Sequence, residues 1–306
     1  MRKKAAGYFF IFLSALIFST TELTLKSVSG AFAPLQLTAC RFLIGGICLI
    51  PFALSSLKGK GRRLHAADLG FFWLMGFLFV VLSMVVYQMA ILRTKASAVA
   101  VLFSCNALFA TLLAAVFLKE KLKRKHFIAL AFEVAAVIVI AAPWQQALDL
   151  VGVILALASA VLYAVYLVAG KKRSSELGGV AITCGSALCG SLLLFGLILI
   201  GRIPAVSSFF TQIGLPFLAD VPLTAKIVPA MLPALLYLVF IITAGGNVFQ
   251  MLAVELTSAR DAALIFFLKP MLAPLLAWLL IGEAITLNMG AGIVLFLIGS
   301  AVALWG

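Results

Sequence analysis

The sequence predicts an all-α polytopic membrane protein: ten transmembrane helices arranged as two inverted five-helix repeats, with both termini cytoplasmic. Three observations predict it. Of the 306 residues, 65% are hydrophobic and 11% charged, an apolar excess that one soluble core could not bury but that lipid accepts on every outward face. Lys and Arg gather in short clusters between apolar runs, as the positive-inside bias of membrane topology requires. The second half of the chain also repeats the first.

A spanning helix needs roughly 20 mostly apolar residues. Such runs lie near 7–28, 34–54, 69–91, 96–118, 126–142, 150–170, 180–200, 227–252, 258–281 and 287–305. The first follows Arg2-Lys3-Lys4 and precedes Ala31-Phe32-Ala33, so it could pass for a signal peptide. Glu22 and Lys26 interrupt the approach to that cut and Pro34 stands just beyond it; a retained helix is expected. At about 100° per residue, Glu22 shares a face with Ala15, Ser19, Lys26 and Ser29, small and polar enough to look inward. The second helix carries Arg41. At 1.5 Å per residue, Glu22 and Arg41 both lie roughly 10 Å below the outer surface, close enough in depth to pair. An ionisable group in the bilayer needs a reason. Either the two form a structural ion pair locking helices one and two, or Glu22 binds a substrate ammonium group or a coupling proton.

The third helix carries Tyr87 and Gln88. In the fourth, Ser97, Ser104 and Thr111 line one face, while Asn106 lies on the bulkier face with Val99, Leu102 and Leu113. An amide facing lipid would be unsatisfied, so that face is expected to look at a cavity or another helix. Glu133 lies about eight residues into the fifth helix; with Glu22 it is the only carboxylate deep enough to couple protons. The sixth presents Tyr163 and Tyr166 at i, i+3, and the seventh is apolar around Cys184 and Cys189.

The longest connection, 201–226, is expected outside. Its Phe209, Phe210, Pro216, Phe217 and Pro222 suit a segment lying on the membrane surface, or a lid. The eighth helix holds Gly245-Gly246, a flexing point or a close-packing site, and Asn247 one turn before Gln250. The ninth places Lys269 at the midplane, whereas Lys26 on the first helix and Lys171 at the end of the sixth lie near opposite interfaces, where each can snorkel. Pro270 and Pro274 follow Lys269, each removing a helical hydrogen bond and freeing a carbonyl. A central cation beside broken helix suits an anion or carboxylate; a buried pair with Glu133, at comparable depth, is the other reading. The tenth helix ends the chain.

With the N-terminus inside, the cytoplasmic segments hold Arg2, Lys3, Lys4, Lys58, Lys60, Arg62, Arg63, Lys119, Lys121, Lys123, Arg124, Lys125, Lys171, Lys172, Arg173 and Arg260, against Arg93, Lys95, Arg202 and Lys226 outside. That asymmetry supports an even number of spans. The halves align at an offset of 163: Thr94 on Thr257, Ala100 on Ala263, Phe103 on Phe266, Asn106 on Lys269, Tyr87 on Gln250 and Glu120 on Glu283. At an offset of 145, Gly7 meets Gly152, Ser14 meets Ser159 and Lys26 meets Lys171. Units 1–145 and 146–306 therefore hold five helices each. Five is odd, so the second runs opposite to the first, a design characteristic of secondary transporters with a midplane site between the halves.

Other classes fit poorly. The net charge of +13 forms no basic stripe with interleaved aromatics, so no nucleic-acid partner is expected. The five cysteines lack any CxxC and read as reduced packing residues. His65 and His126 lie in or beside basic loops, and no metal site is expected. There is no HExxH, no paired membrane aspartates and no nucleophile with a histidine partner, hence no enzyme. No filter-like loop suggests a channel. Without GxxxxGK[ST] no nucleotide cofactor is implied, so energy comes from the substrate's own gradient, an exchanged solute or a proton.

Thr94-Lys95-Ala96-Ser97-Ala98 with Leu118-Lys119-Glu120-Lys121, and Thr257-Ser258-Ala259-Arg260-Asp261 with Pro270 and Gly282-Glu283, resemble the paired signature of the EamA-type branch of the drug/metabolite transporter superfamily. The resemblance covers essentially the whole chain. It implies a secondary-active carrier in the cytoplasmic membrane, an exporter of a small polar metabolite such as an amino acid, with an uptake carrier or exchanger for another small solute as the alternative; the inverted repeat itself suits alternating access. It also implies that helices three, six and eight line the cavity through Tyr87, Gln88, Tyr163, Tyr166, Asn247 and Gln250; ordinary interhelical hydrogen bonding is the other reading of those side chains. Lys269, Asn106 and Glu22, singled out above by their own chemistry, complete the candidate substrate-binding set. Two departures stand out: Asn106-Ala107 replaces the proline common in the fourth helix, and Glu133 occupies a helix that is usually apolar.

Overall fold

The computed structural model describes residues 2–119, 124–142, 148–212, 214–223, 229–257, 262 and 264–305, and among these every regular element is helical. The long helices, in chain order, are α1 (Ala5–Val28), α2 (Pro34–Gly59), α3 (Ala66–Arg93), α4 (Ala96–Phe117), α5 (Arg124–Ala141), α6 (Leu150–Leu177), α7 (Gly179–Ile200), α8 (Pro229–Val254), α9 (Leu264–Ile281) and α10 (Leu287–Trp305). Among the described residues all of these but α5 and α10, eight helices, are long and apolar enough to cross a membrane. Arg124, Lys125 and Glu133 dilute α5, and the apolar run of α10 is the shorter Leu287–Val302.

Burial follows the logic of a lipid-solvated protein. Large apolar side chains such as Phe9, Leu54, Val116, Ile154 and Leu280 are exposed, whereas Ser14, Ser19, Ser83, Ser159, Ser186 and Ser191 are fully buried. Lipid is as apolar as leucine, so helices associate through small residues and hydrogen bonds rather than through an oily core. Several hydroxyls bond to their own helix, as Ser19 to the Ala15 carbonyl; Ser83 Oγ reaches across from α3 to the Ser159 carbonyl of α6 at 3.0 Å. At the α3–α7 crossing, a Cβ on Gly76 would stand 2.5 Å from the Gly190 nitrogen. Only glycine permits that approach.

The main pairings are α5 on α10, α2 on α7, α1 on α8 and α9, α3 on α6 and α7, and α4 on α6 and α9. Four irregularities sit at mid-helix among the described residues. α1 is interrupted at Thr20 and α4 at Cys105. α3 and α8 each contain a π-helical stretch, Phe77–Met84 and Tyr237–Gly245. π-stretches frequently mark functional positions. The expectation of broken helix beside Lys269 is corrected: α9 runs on through Pro270 and Pro274, as spanning helices tolerate where neighbouring groups re-satisfy the freed carbonyls. The break occurs instead in α4, which has no proline, and the Asn106 amide donates to the Phe103 carbonyl there at 2.6 Å. Gly246 packs against Phe18, which favours the close-packing reading of the glycine pair.

The connection after α7 contains a helix, Pro204–Gln212, that buries none of its side chains, and it turns back through Asp220 N–H to the Gly201 carbonyl. The expectations on Glu120, Lys121, Lys123, Lys226, Ser258, Ala259, Arg260, Asp261 and Ala263 fall outside the described residues.

Candidate functional site: a charged chamber at mid-helix depth

The irregular mid-sections of α1, α3 and α8 converge with α2, α4, α6 and α9 on a chamber of about 100 Å³. Its wall includes Arg41, Tyr87, Tyr163, Asn247, Gln250 and Lys269, with Phe18, Phe42, Phe79, Phe103 and Phe266 filling the spaces between. The rings form a connected set: Phe42 meets Phe79 edge-on at 4.9 Å, Phe79 stacks on Tyr166 at 4.7 Å, and Phe103 bridges Tyr87 and Tyr163 at 4.6 and 5.3 Å.

Lys269 Nζ lies 2.7 Å from Glu22 Oε1, and the Tyr87 hydroxyl donates to the same oxygen. Lys269 also sits 5.4 Å from the centre of the Phe103 ring. Glu22 is 1% exposed and stands behind Lys269 and Tyr87 rather than on the wall. This corrects both pairings read from depth alone. Glu22 pairs with Lys269 and not with Arg41; Lys269 pairs with Glu22 and not with Glu133. The physical reason is that depth along a helix says nothing about azimuth: α1 packs on α9, so its polar face meets Lys269.

Arg41 is 5% exposed. It donates to the Met84 sulfur at 3.4 Å and lies 4.4 Å from the Phe42 ring centre. Among the described residues no carboxylate comes within ion-pair distance of it, and its Nε has no hydrogen-bond partner.

The remaining expected site residues divide. Tyr166 faces a second cavity of about 510 Å³ that shares Tyr163, Asn247 and Gln250 with the chamber and extends toward Ser56, Lys60 and Ser174. Gln88 is buried off the wall, and Asn106 is buried and bonded to its own backbone. Glu133 meets the Cys105 thiol and lines a separate cavity of about 240 Å³ between α4, α5, α9 and α10, with Ser104, Thr111 and Ser300. Among the described residues Glu133 Oε2 has no hydrogen-bond partner.

The end of the bundle away from Lys60 carries an interhelical tie. Lys26 Nζ lies 2.9 Å from Glu283 Oε1. The same carboxylate accepts from the backbone N–H groups of Ala96 and Ser97 at 3.1 and 3.2 Å and from Ser97 Oγ at 2.8 Å. It thereby caps the first turn of α4 from outside that helix, where orphan N–H groups favour an anion. Burial pushes the Glu283 carboxyl up, but Lys26 and the Ser97 and Ala96 donors outweigh it and hold the group below the usual carboxylate range. Lys26 is thus one half of an interhelical tie rather than only a snorkelling cation. Nearer the wall, Thr20 and Tyr237 hydroxyls meet at 3.0 Å. At the opposite end, Asp68 binds Arg173 at 2.5 Å and Arg62 at 3.5 Å, holding the α2–α3 connection against the end of α6.

Sequence reasoning missed the aromatic walls, the Lys26–Glu283 tie and the place of Arg41 on the chamber. For Arg41 a signal existed: a cation at bilayer depth with a phenylalanine beside it.

The chain matches the EamA-like transporter family over residues 5–142 and again over 150–305. It is 36% identical over 305 residues to an uncharacterized transporter of Clostridium kluyveri, covering 97% of this chain and 92% of that one. A crystallographically solved protein superposes with a TM-score of 0.65 at 20% identity, over 98% of this chain and 96% of the other, which speaks for the fold alone. With apolar helices long enough to span a bilayer repeatedly and a buried charged chamber between them, this protein is a multi-pass membrane protein that belongs to the EamA-like transporter family of the drug/metabolite transporter superfamily.

Proposed function

We propose that the protein is a secondary-active exporter of a small polar metabolite in the cytoplasmic membrane, working by alternating access through the central chamber. In this reading α1–α10 all span, both termini are cytoplasmic, and units 1–145 and 146–306 are inverted repeats. The π-stretches support it: shifting Phe77–Met84 by 163 residues overlaps Tyr237–Gly245, so the two units carry the same irregularity in corresponding helices. The observation that carries the proposal is the asymmetry around the chamber. One end is tied shut by Lys26, Glu283 and the start of α4; the other adjoins the 510 Å³ cavity leading to the basic, cytoplasmic end. That is an inward-open arrangement around a midplane site.

Glu133 is the better proton carrier, because Glu22 is engaged by Lys269 and Tyr87 whereas Glu133 lines a cavity and has one carboxylate oxygen without a hydrogen-bond partner among the described residues. Reconstituted vesicles test both points. Asn247→Cys should react with a membrane-impermeant thiol reagent from the cytoplasmic side, and Glu133→Gln should transport without stimulation by a pH gradient. Labelling of Asn247→Cys from neither side would defeat the chamber as a pathway.

A further inference from the structure

Resting on the reading that the chamber is the transport path, we infer that its substrate is a monoanionic organic acid with an apolar body, held through its carboxylate by Arg41.

The first ground is the state of Arg41. A guanidinium carries five N–H donors, and a charged group at this depth is costly unless paired. Among the described residues one nitrogen reaches only a thioether sulfur, a weak acceptor, and Nε reaches nothing. The Phe42 ring covers the group at 4.4 Å, and its planar fork suits a carboxylate bidentately.

The second ground is charge balance. Lys269 and Glu22 neutralise each other, leaving the positive charge of Arg41 uncompensated among the described residues. A monoanion brings the chamber to neutrality. A zwitterion leaves the excess, and a cation doubles it. An amino acid would also need an acceptor for its ammonium group. The nearest carboxylate, Glu22, is 1% exposed behind Lys269 and Tyr87.

The third ground is the wall. Phe18, Phe42, Phe79, Phe103 and Phe266 offer ring faces and edges, an environment for a ring or branched hydrocarbon. Asn247 and Gln250 are amides on the same wall and can hydrogen-bond a second polar substituent such as an oxo or hydroxyl group. Lys60 at the mouth of the adjoining cavity favours entry of anions.

Three probes that share a ring and differ in charge test the inference: phenylacetate, phenylalanine and phenethylamine, titrated into the purified full-length protein by calorimetry. Phenylacetate should bind at least tenfold more tightly than the other two. Arg41→Gln should weaken it at least tenfold in a variant that stays monodisperse, and Arg41→Lys, which keeps the charge but loses the fork, should fall between. Asn247→Trp, which fills the chamber, should abolish binding. Preference for phenylalanine or phenethylamine, or binding by none of the three, overturns the anion class and leaves the chamber standing if Asn247→Cys is labelled from the cytoplasmic side. Phenylacetate affinity unchanged in both Arg41 variants overturns the role of Arg41. Affinity unchanged in Asn247→Trp overturns the chamber itself.

Discussion

Removing one partner of the Lys269–Glu22 pair leaves the other charge buried with nothing to balance it, which costs more than the pair contributes. Glu22→Ala or Lys269→Met alone is expected to lose about 3–5 kcal/mol of stability, the range for an orphaned buried charge. The double replacement Glu22→Gln with Lys269→Met should recover most of that loss. Thermal unfolding in detergent reads both outcomes, and a double variant no better than the singles would mean the two charges are not coupled. Much of this was legible before any tertiary structure. Glu22, Arg41, Glu133 and Lys269 stand out because ionisable groups are expensive inside a bilayer, so the list of unusual residues follows from composition along the chain. Their partners do not. Glu22 and Arg41 share a depth, but pairing also needs a shared azimuth and adjacent helices, and Lys269 supplies both from 247 residues away.

At the scale of elements, the tie between α4, α9 and the end of α1 rests on one carboxylate. Glu283 is held below its ordinary pKa of 4.5, so its contribution is fully present above that value and is lost as pH falls through the lower folded-state value. Hydrogen exchange at the Ala96 and Ser97 amides should therefore accelerate under acid in the native protein, relative to the intrinsic rate at that pH. In Glu283→Gln the acceleration should already be present at neutral pH; equal protection in both proteins would show that other contacts hold this turn. Packing makes a second prediction. Gly190→Val would place atoms against the Gly76 carbonyl and Val80, with an expected cost of about 1–3 kcal/mol for overpacking, read as a lowered thermal midpoint. Helix boundaries were largely legible from apolar run length, since the bilayer sets that length. The irregularities were not. Pro270 and Pro274 mark α9 as the helix to break, yet the interruption falls at Cys105 in α4, where hydrogen bonds from the Ser104 and Asn106 side chains to backbone carbonyls surround the turn.

For the whole molecule, the inward-open reading predicts a one-sided accessibility pattern. Cysteine at Gln250 or Asn247 should label from the side bearing Lys60, and cysteine at Thr21, on the chamber wall toward the closed end, should label poorly from outside. Glu283→Gln should raise outside labelling of Thr21→Cys severalfold by loosening the tie; no change would place the outer closure elsewhere. By itself the sequence determined that this chain is a helical membrane protein with charge clusters, repeat registers and a short roster of buried polar groups, because lipid solvation imposes constraints readable one residue at a time. Only the tertiary structure decided which of those groups meet, which segments the Lys26–Glu283 pair ties together and which cation lacks a counter-charge among the described residues. Those are properties of helix azimuth and of contacts between distant segments, and no one-dimensional pattern encodes them.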